Sequence, residues 1–312
     1  MNEHSILVLD GLFDSLDVET SVAASRGWSV SCWDGSDASL RDAEVVVHVR
    51  TKVDQSLMQR MPRCRVVARF GTGLDTVDQA TAAQRGIRVV GVRDYCIPEL
   101  ASLTLGLAFA LDRQVDGVRT GRLGADDSRQ AVASRVSLPG RTTATVIGLG
   151  SVGTAVTRAL VAIGIRVRVV TKRGADAADA IGAESVGFSE GLAGAGFVFL
   201  HAALTPEAQG MIDSRALAVM SPGTILLNTA RIGLLDESAV AAAVKSGHLG
   251  GLGLDARLAP DSPLRALLGD PRIMITPHIG WYSARSAREL RERTIRAAID
   301  AFLDRDLSKG DG

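Results

Sequence analysis

Short β-branched apolar runs alternate along the chain with Ala-rich stretches of helical period. The runs are SILVLD (5–10), EVVVHV (44–49), RVVARF (65–70), RVVGV (88–92) and TATVIGL (143–149), then RVRVV (166–170), GFVFLHA (196–202), TILLNT (224–229), GGLGLD (250–255) and IMITP (273–277). Runs of this length, apolar on both faces, suit strands of a parallel sheet covered by helices. Their alternation with helices predicts a doubly wound α/β architecture. The pattern restarts near residue 140, after the polar stretch GRLGADDSRQ (121–130), which implies two α/β units of unequal kind. A final helix over about 284–304 places Ile295, Ala298, Ile299, Phe302 and Leu303 on one stripe. It is expected to pack back on the first unit, because the second unit's strands are complete by residue 277. No solenoid repeat and no low-complexity tract interrupts the pattern.

Composition narrows the function classes. The chain has 312 residues, enough for one large or two ordinary domains. Lys plus Arg equals Asp plus Glu at 35 each, so net charge points neither to nucleic acid nor to an acidic membrane surface. Cys32, Cys64 and Cys96 are too far apart for a metal-spaced pair and suggest no disulfide framework. The start, MNEHSILVLD, lacks the features of a signal peptide, and no run approaches the roughly 18 apolar residues of a spanning helix. A soluble, cytoplasmic protein without a metal site is expected.

VIGLGSVGTAVTRAL (146–160) holds Gly148, Gly150 and Gly153 between a strand and a helix. A lone GxGxxG is weak evidence, but at a strand-to-helix turn each glycine has a purpose. Gly148 permits the turn, Gly150 lets the backbone approach a pyrophosphate, and Gly153 lets the helix pack closely. About 20 residues on, where an NAD binder carries an acid for the ribose hydroxyls, the chain reads VVTKRG. Thr171, Lys172 and Arg173 offer a hydroxyl and two cations, which suit a 2′-phosphate. A solvated basic turn is the alternative reading, so NADP is favoured and NAD stays open.

Three later segments, GMIDSRALAVMSPGTILLNTARIGLLDESAV (210–240), SGHLGGLGLDA (246–256) and ITPHIGW (275–281), come in an order and at spacings that resemble the D-isomer-specific 2-hydroxyacid dehydrogenase family. So do RFGTGLDTVD (69–78), RGIRVVGVRDYCIPELASLTLGLAFALDRQ (85–114) and SLPGRTTATVIGLGSVG (137–153). The resemblance covers nearly the whole chain from about residue 40. It implies a flavodoxin-like substrate domain, residues 1–100 with 284–312, into which a Rossmann cofactor domain of residues 101–283 is inserted, with the active site in the cleft. It also implies a homodimer joined through the cofactor domains, to which the apolar helix 98–113 would contribute.

Residue by residue, Arg231 matches the family arginine that grips the substrate carboxylate and polarises its carbonyl. His278 matches the acid/base that protonates the oxygen of a 2-oxo acid while hydride arrives from the nicotinamide. Gly71, Thr72 and Gly73 match the loop whose backbone N–H groups receive the carboxylate. Asp255 matches an acid near the nicotinamide carboxamide, and Thr104 a threonine by the phosphates or nicotinamide. His201, Ala202 and Thr205 match the loop along the ribose and pyrophosphate, with Ala203 replacing the family proline. Ser151, Val152, Thr229, Ala230 and Gly280 complete the implied cofactor contacts.

The departures are as informative. Pro260 stands where the family has its catalytic glutamate, five residues after Asp255, and Asp261 is the only nearby substitute. Ile232 replaces a glycine after the arginine, adding bulk and stiffness, and Ser102 and Leu103 replace an acid and a histidine. A carboxylate partner holds a histidine's tautomer and raises its affinity for a proton. Without one, reduction, which consumes a proton, is expected to fall off above roughly pH 7. Asp261→Asn should shift that profile if Asp261 is the partner; an unchanged profile removes it from the mechanism.

Extra cations flank the carboxylate loop. Arg69 precedes GTG, as in the phosphoglycerate dehydrogenases, where this arginine helps bind the substrate phosphate. His48, Arg50 and Arg93 end other strands. A second anionic group on the substrate and a simple arginine-rich surface explain them equally well, with glyoxylate or hydroxypyruvate as the plain alternative. The first functional reading is an NADPH-dependent reductase of a small 2-oxo acid. The second is a nucleotide-sensing or corepressor-like binding protein on the same fold, favoured by the missing glutamate and opposed by the retention of both Arg231 and His278.

Overall fold

The structure, a computed structural model, describes residues 4–11, 13–120 and 142–307. The polar stretch 121–130 lies outside them. The chain divides into two compact units: one runs to Tyr95 and resumes at Ser283, the other is Cys96–Tyr282. The expected division at residue 100 falls inside the helix Ile97–Asp112, and that whole helix belongs to the second unit. Ala101, Leu107, Ala108 and Leu111 bury its inner face in that unit's core.

In the first unit β1 (His4–Val8), β2 (Trp28–Cys32), β3 (Val45–His48), β4 (Val66–Arg69) and β5 (Arg88–Gly91) form a parallel sheet in the order β2-β1-β3-β4-β5. The order reverses between β1 and β3, the place where open α/β sheets leave a crevice at their carboxyl ends. Strand β2 was not legible as an apolar run. It is an edge strand reading WSVSC, in which only Trp28 is buried and the serines face solvent.

The last helix, Ala284–Leu307, lies on β4 and on the helix Asp17–Ala24. Ile295, Ala298, Ile299 and Phe302 are fully buried, as the stripe predicts, but Leu303 is 38% exposed at the stripe's edge. A buried ion pair fastens this helix. Arg291 donates from Nε to Glu19 Oε1 at 2.7 Å and from Nη2 to Oε2 at 2.5 Å, and Nη2 also reaches the Ser15 carbonyl at 2.6 Å. The guanidinium covers the Phe13 ring at 4.5 Å.

In the second unit β6 (Thr143–Ile147), β7 (Arg166–Val170), β8 (Glu184–Ser185), β9 (Phe197–Leu200), β10 (Thr224–Asn228), β11 (Leu249–Asp255) and β12 (Ile273–Thr276) are all parallel, in the order β12-β11-β10-β9-β6-β7-β8. Alternate residues of one strand feed opposite cores. On β9, Phe197 and Phe199 enter one cluster while Val198 and Leu200 enter the other. Both faces of β9 are thus covered, which explains why FVFL is apolar throughout. The two-residue β8 was missed because it is too short to carry a pattern. No described helix is long and apolar enough to cross a membrane.

Candidate active site

Because every strand of the second unit is parallel, the turns after β6, β9, β10, β11 and β12 all emerge at one edge of its sheet. After β6, Gly148 turns the chain at φ +99°, and a Cβ there would lie 2.6 Å from the Ala202 nitrogen and the His201 carbonyl. A Cβ on Gly153 would sit 2.0 Å from the Gly148 oxygen, so only glycine lets the helix Ser151–Ala162 start this close to the turn. Gly150 is the opposite case. It precedes the helix, a Cβ there would meet no other part of the described fold within 4 Å, and among the described residues no side chain caps this helix start. Open backbone at an uncapped helix N-terminus fits the pyrophosphate of a dinucleotide.

Beyond β7, Thr171 is half-buried and Lys172 and Arg173 are exposed. The Arg173 guanidinium folds back over the glycine loop, donating to the Leu149 carbonyl at 2.9 Å, while its backbone N–H is held by Thr171 Oγ1 at 3.1 Å. Past β9, His201 lies against Gly153, and burial pushes its imidazole down to about 4, so it is neutral. Thr205 is exposed on the same loop. Thr104 and Thr229 are buried and share a hydrogen bond of 2.7 Å, with Thr104 also donating to the Leu100 carbonyl.

The turn after β10 carries Arg231. Asn228, at the strand's end, donates to the Arg231 carbonyl at 2.9 Å and accepts from the Ala230 N–H at 3.1 Å, which shapes the turn. Asn228 was missed in the sequence; its signal was a lone amide ending an apolar strand. Arg231 Nη1 donates to the Ala230 carbonyl at 3.0 Å. Ile232, the residue in place of glycine, packs against the core of the unit.

Asp255 ends β11, 2% exposed, and its carboxylate is heavily engaged. Oδ1 accepts from Thr276 Oγ1 at 2.7 Å and the Ile279 N–H at 2.8 Å, and Oδ2 accepts from the Gly280 N–H at 2.8 Å. These bonds clamp the turn that carries His278, whose φ of +62° is unusual for a residue with a side chain. The imidazole Nδ1 lies 3.3 Å from the Asp255 carbonyl, and His278 is exposed. Among the described residues no carboxylate is hydrogen-bonded to it. Asp261 is not brought to His278: it is exposed and makes no hydrogen bond or ion pair among the described residues. Its neighbour Ser262 is buried and bonded to Glu237 Oε2, which anchors the loop at that point.

In the first unit Gly71 adopts φ +145°, and a Cβ there would lie 2.7 Å from Arg69 Nη1. Arg69 donates to the Gly73 carbonyl at 2.6 Å and to the Val49 carbonyl at 3.2 Å, and Thr72 Oγ1 donates to the Val92 carbonyl at 2.8 Å. Asp10, missed in the sequence although it is the acid ending SILVLD, accepts from the N–H groups of Val49, Arg50 and Thr51 at 2.7, 2.7 and 2.9 Å. Despite the cost of burial, these amides hold its carboxyl below the usual range. Arg50 and Arg93 are exposed.

His48 is fully buried, donating to the Thr51 carbonyl from Nδ1 at 2.9 Å, and burial pushes it down to about 4. The unfolded chain takes up this proton near pH 6.5 and the folded chain only near pH 4, so stability falls as pH drops through that window. The melting temperature of the first unit is therefore expected to decline from pH 6.5 to 4 more steeply in the wild type than in His48→Leu.

A family profile described as "D-isomer specific 2-hydroxyacid dehydrogenase, NAD binding domain" matches residues 102–280. The chain belongs to this family. D-3-phosphoglycerate dehydrogenase of Mycobacterium leprae is 35% identical over 96% of this chain, which spans 58% of that protein's length. Glycerate dehydrogenase of Methylorubrum extorquens is 29% identical, over 85% of this chain and 84% of its own. In fold, the chain resembles D-lactate dehydrogenase from Aquifex aeolicus, crystallised with NAD and lactic acid, with a TM-score of 0.83 over 99% of this chain and 98% of that one at 23% identity. The glycine loop, Arg231, Asp255 and His278 all lie within or at the ends of the matched family segment.

Proposed function

We propose that the protein reduces a small 2-oxo acid to the D-2-hydroxy acid with NADPH, reversibly, and that NADH serves less well. The observation that carries this reading is the placing of Arg231 after β10 and His278 after β12, flanking Asp255, on the sheet edge that also carries the glycine loop. A bound dihydronicotinamide supplies the hydride. Arg231, with parallel N–H donors in one plane, would hold the substrate carboxylate and draw electron density towards the 2-oxo oxygen. His278 would deliver the proton to that oxygen, held by a backbone that Asp255 clamps. The GTG loop would receive the carboxylate on its amides, with Thr72 oriented by the Val92 carbonyl.

Second anionic groups remain part of the proposal through Arg50 and Arg93, whose side chains are exposed near strand ends of the first unit. A homodimer is proposed as well, to be read from light scattering. The test of the activity is oxidation of NADPH and NADH with a panel of 2-oxo acids, including phosphorylated and dicarboxylic ones. Cofactor binding without turnover on any acid would favour the nucleotide-sensing reading, in keeping with Pro260 standing where the family has its glutamate. For the cofactor, Lys172→Ala with Arg173→Ala is expected to raise KM for NADPH about tenfold or more and leave KM for NADH nearly unchanged. Equal effects on both would contradict the 2′-phosphate assignment.

A further inference from the structure

We infer that Arg69 is a strut that positions the GTG loop for every 2-oxo acid, whether or not the substrate carries a second anion. The inference rests on the reductase reading and deepens it by naming what holds the carboxylate-binding loop in place. The geometry is specific. Arg69 ends β4 and pairs in register with His48 at the end of β3. Its guanidinium is committed in two directions, Nη1 to the Gly73 carbonyl at 2.6 Å and Nε to the Val49 carbonyl at 3.2 Å. It therefore joins the loop after β4 to the loop after β3.

Both of those loops are fixed from the other side. Asp10 holds the Val49 N–H at 2.7 Å, so the residue whose carbonyl receives Arg69 is itself anchored. The Val92 N–H donates to the Gly71 carbonyl at 3.0 Å, and the Phe70 N–H to the His48 carbonyl at 2.9 Å. Gly71 completes the arrangement. A Cβ there would crowd Nη1 at 2.7 Å and push the guanidinium aside, and its φ of +145° is one that side chains rarely adopt. Arg69 thus passes across the backbone of the loop whose N–H groups are proposed to bind carboxylate. A planar guanidinium can donate along two fixed directions at once, whereas the ammonium of lysine is a single point donor that cannot reproduce the pair.

The two roles differ in what they predict for substrates. A strut misplaces the loop for every 2-oxo acid when removed, and a misplacement of about 1 Å can cost on the order of 100-fold. An anion ligand matters only when a second anion is present. The experiment compares wild type, Arg69→Gln and Arg69→Lys on pyruvate and glyoxylate, and on 3-phosphohydroxypyruvate and oxaloacetate, alongside amide hydrogen exchange of the segment 66–76. The expected result is a fall in kcat/KM of roughly 10–100-fold for both substrate classes, by factors that agree within about threefold, with no rescue by lysine. Faster exchange in 70–74 should accompany it.

A loss confined to the second-anion substrates, or restored by lysine, would overturn the inference, as would unchanged exchange in 70–74. If wild type turns over none of the acids, the reductase reading fails, while the exchange comparison still decides the strut. Should Arg69→Gln not fold, Arg69→Lys carries the same comparison, because it retains the charge and loses the two-way bond.

Discussion

Arg231→Gln is expected to lower kcat/KM for 2-oxo acid reduction by about 100- to 1,000-fold, the scale of removing a charge-stabilising donor from the reacting oxygen. The melting temperature should stay close to wild type, because Asn228 still holds the turn through the backbone of Ala230 and Arg231 when the guanidinium is gone. Arg231→Lys should recover only a small part of the loss, since it restores charge without the paired planar donors. Steady-state kinetics of the three proteins on one 2-oxo acid, with thermal melts, check this. Near-wild-type turnover in Arg231→Gln would remove the residue from the chemistry.

The second large effect is on stability. Glu19 is fully buried and Arg291 nearly so, with a side-chain exposure of 12%. Arg291 also satisfies the Ser15 carbonyl and covers Phe13. Removing the carboxylate in Glu19→Ala leaves a guanidinium in a site built for a pair. Breaking a buried pair from one side costs about 3–5 kcal/mol. A double substitution to apolar residues, Glu19→Leu with Arg291→Met, should cost less than Glu19→Ala alone, because no uncompensated charge remains buried. Denaturant unfolding of the first unit measures both. If Glu19→Ala is the milder variant, the pair does not stabilise the packing of the last helix.

Much of the architecture was legible because burial on both faces writes itself as uninterrupted apolar runs. Where that condition fails, the pattern fails with it. Strand β2 is an edge with serines outward, and β8 has only two residues. Leu303 sits at the stripe's margin, where helical period alone does not separate buried from exposed. In the site, the glycines were legible because their need is steric and local, as the 2.0 Å approach at Gly153 makes plain. What could not be read were side chains acting on backbone atoms far away in sequence. Asp10 meets the N–H groups of 49–51, and Arg69 meets the carbonyls of Val49 and Gly73. Asp255 illustrates the same point: its carboxylate is engaged by Thr276, Ile279 and Gly280, so it supports the His278 turn directly. The acid nearest in sequence to the missing glutamate, Asp261, is exposed and does not meet His278.

The most direct measurement follows a labelled hydride. Wild-type protein is given a 2-oxo acid and NADPH carrying deuterium at the reactive C4 position, and the product is analysed for label and configuration. The expected product is a D-2-hydroxy acid with deuterium at C2, formed far more slowly by His278→Ala although the variant still binds NADPH. An unlabelled or L product, or equal rates in the two proteins, would contradict the assignment of hydride transfer to this site.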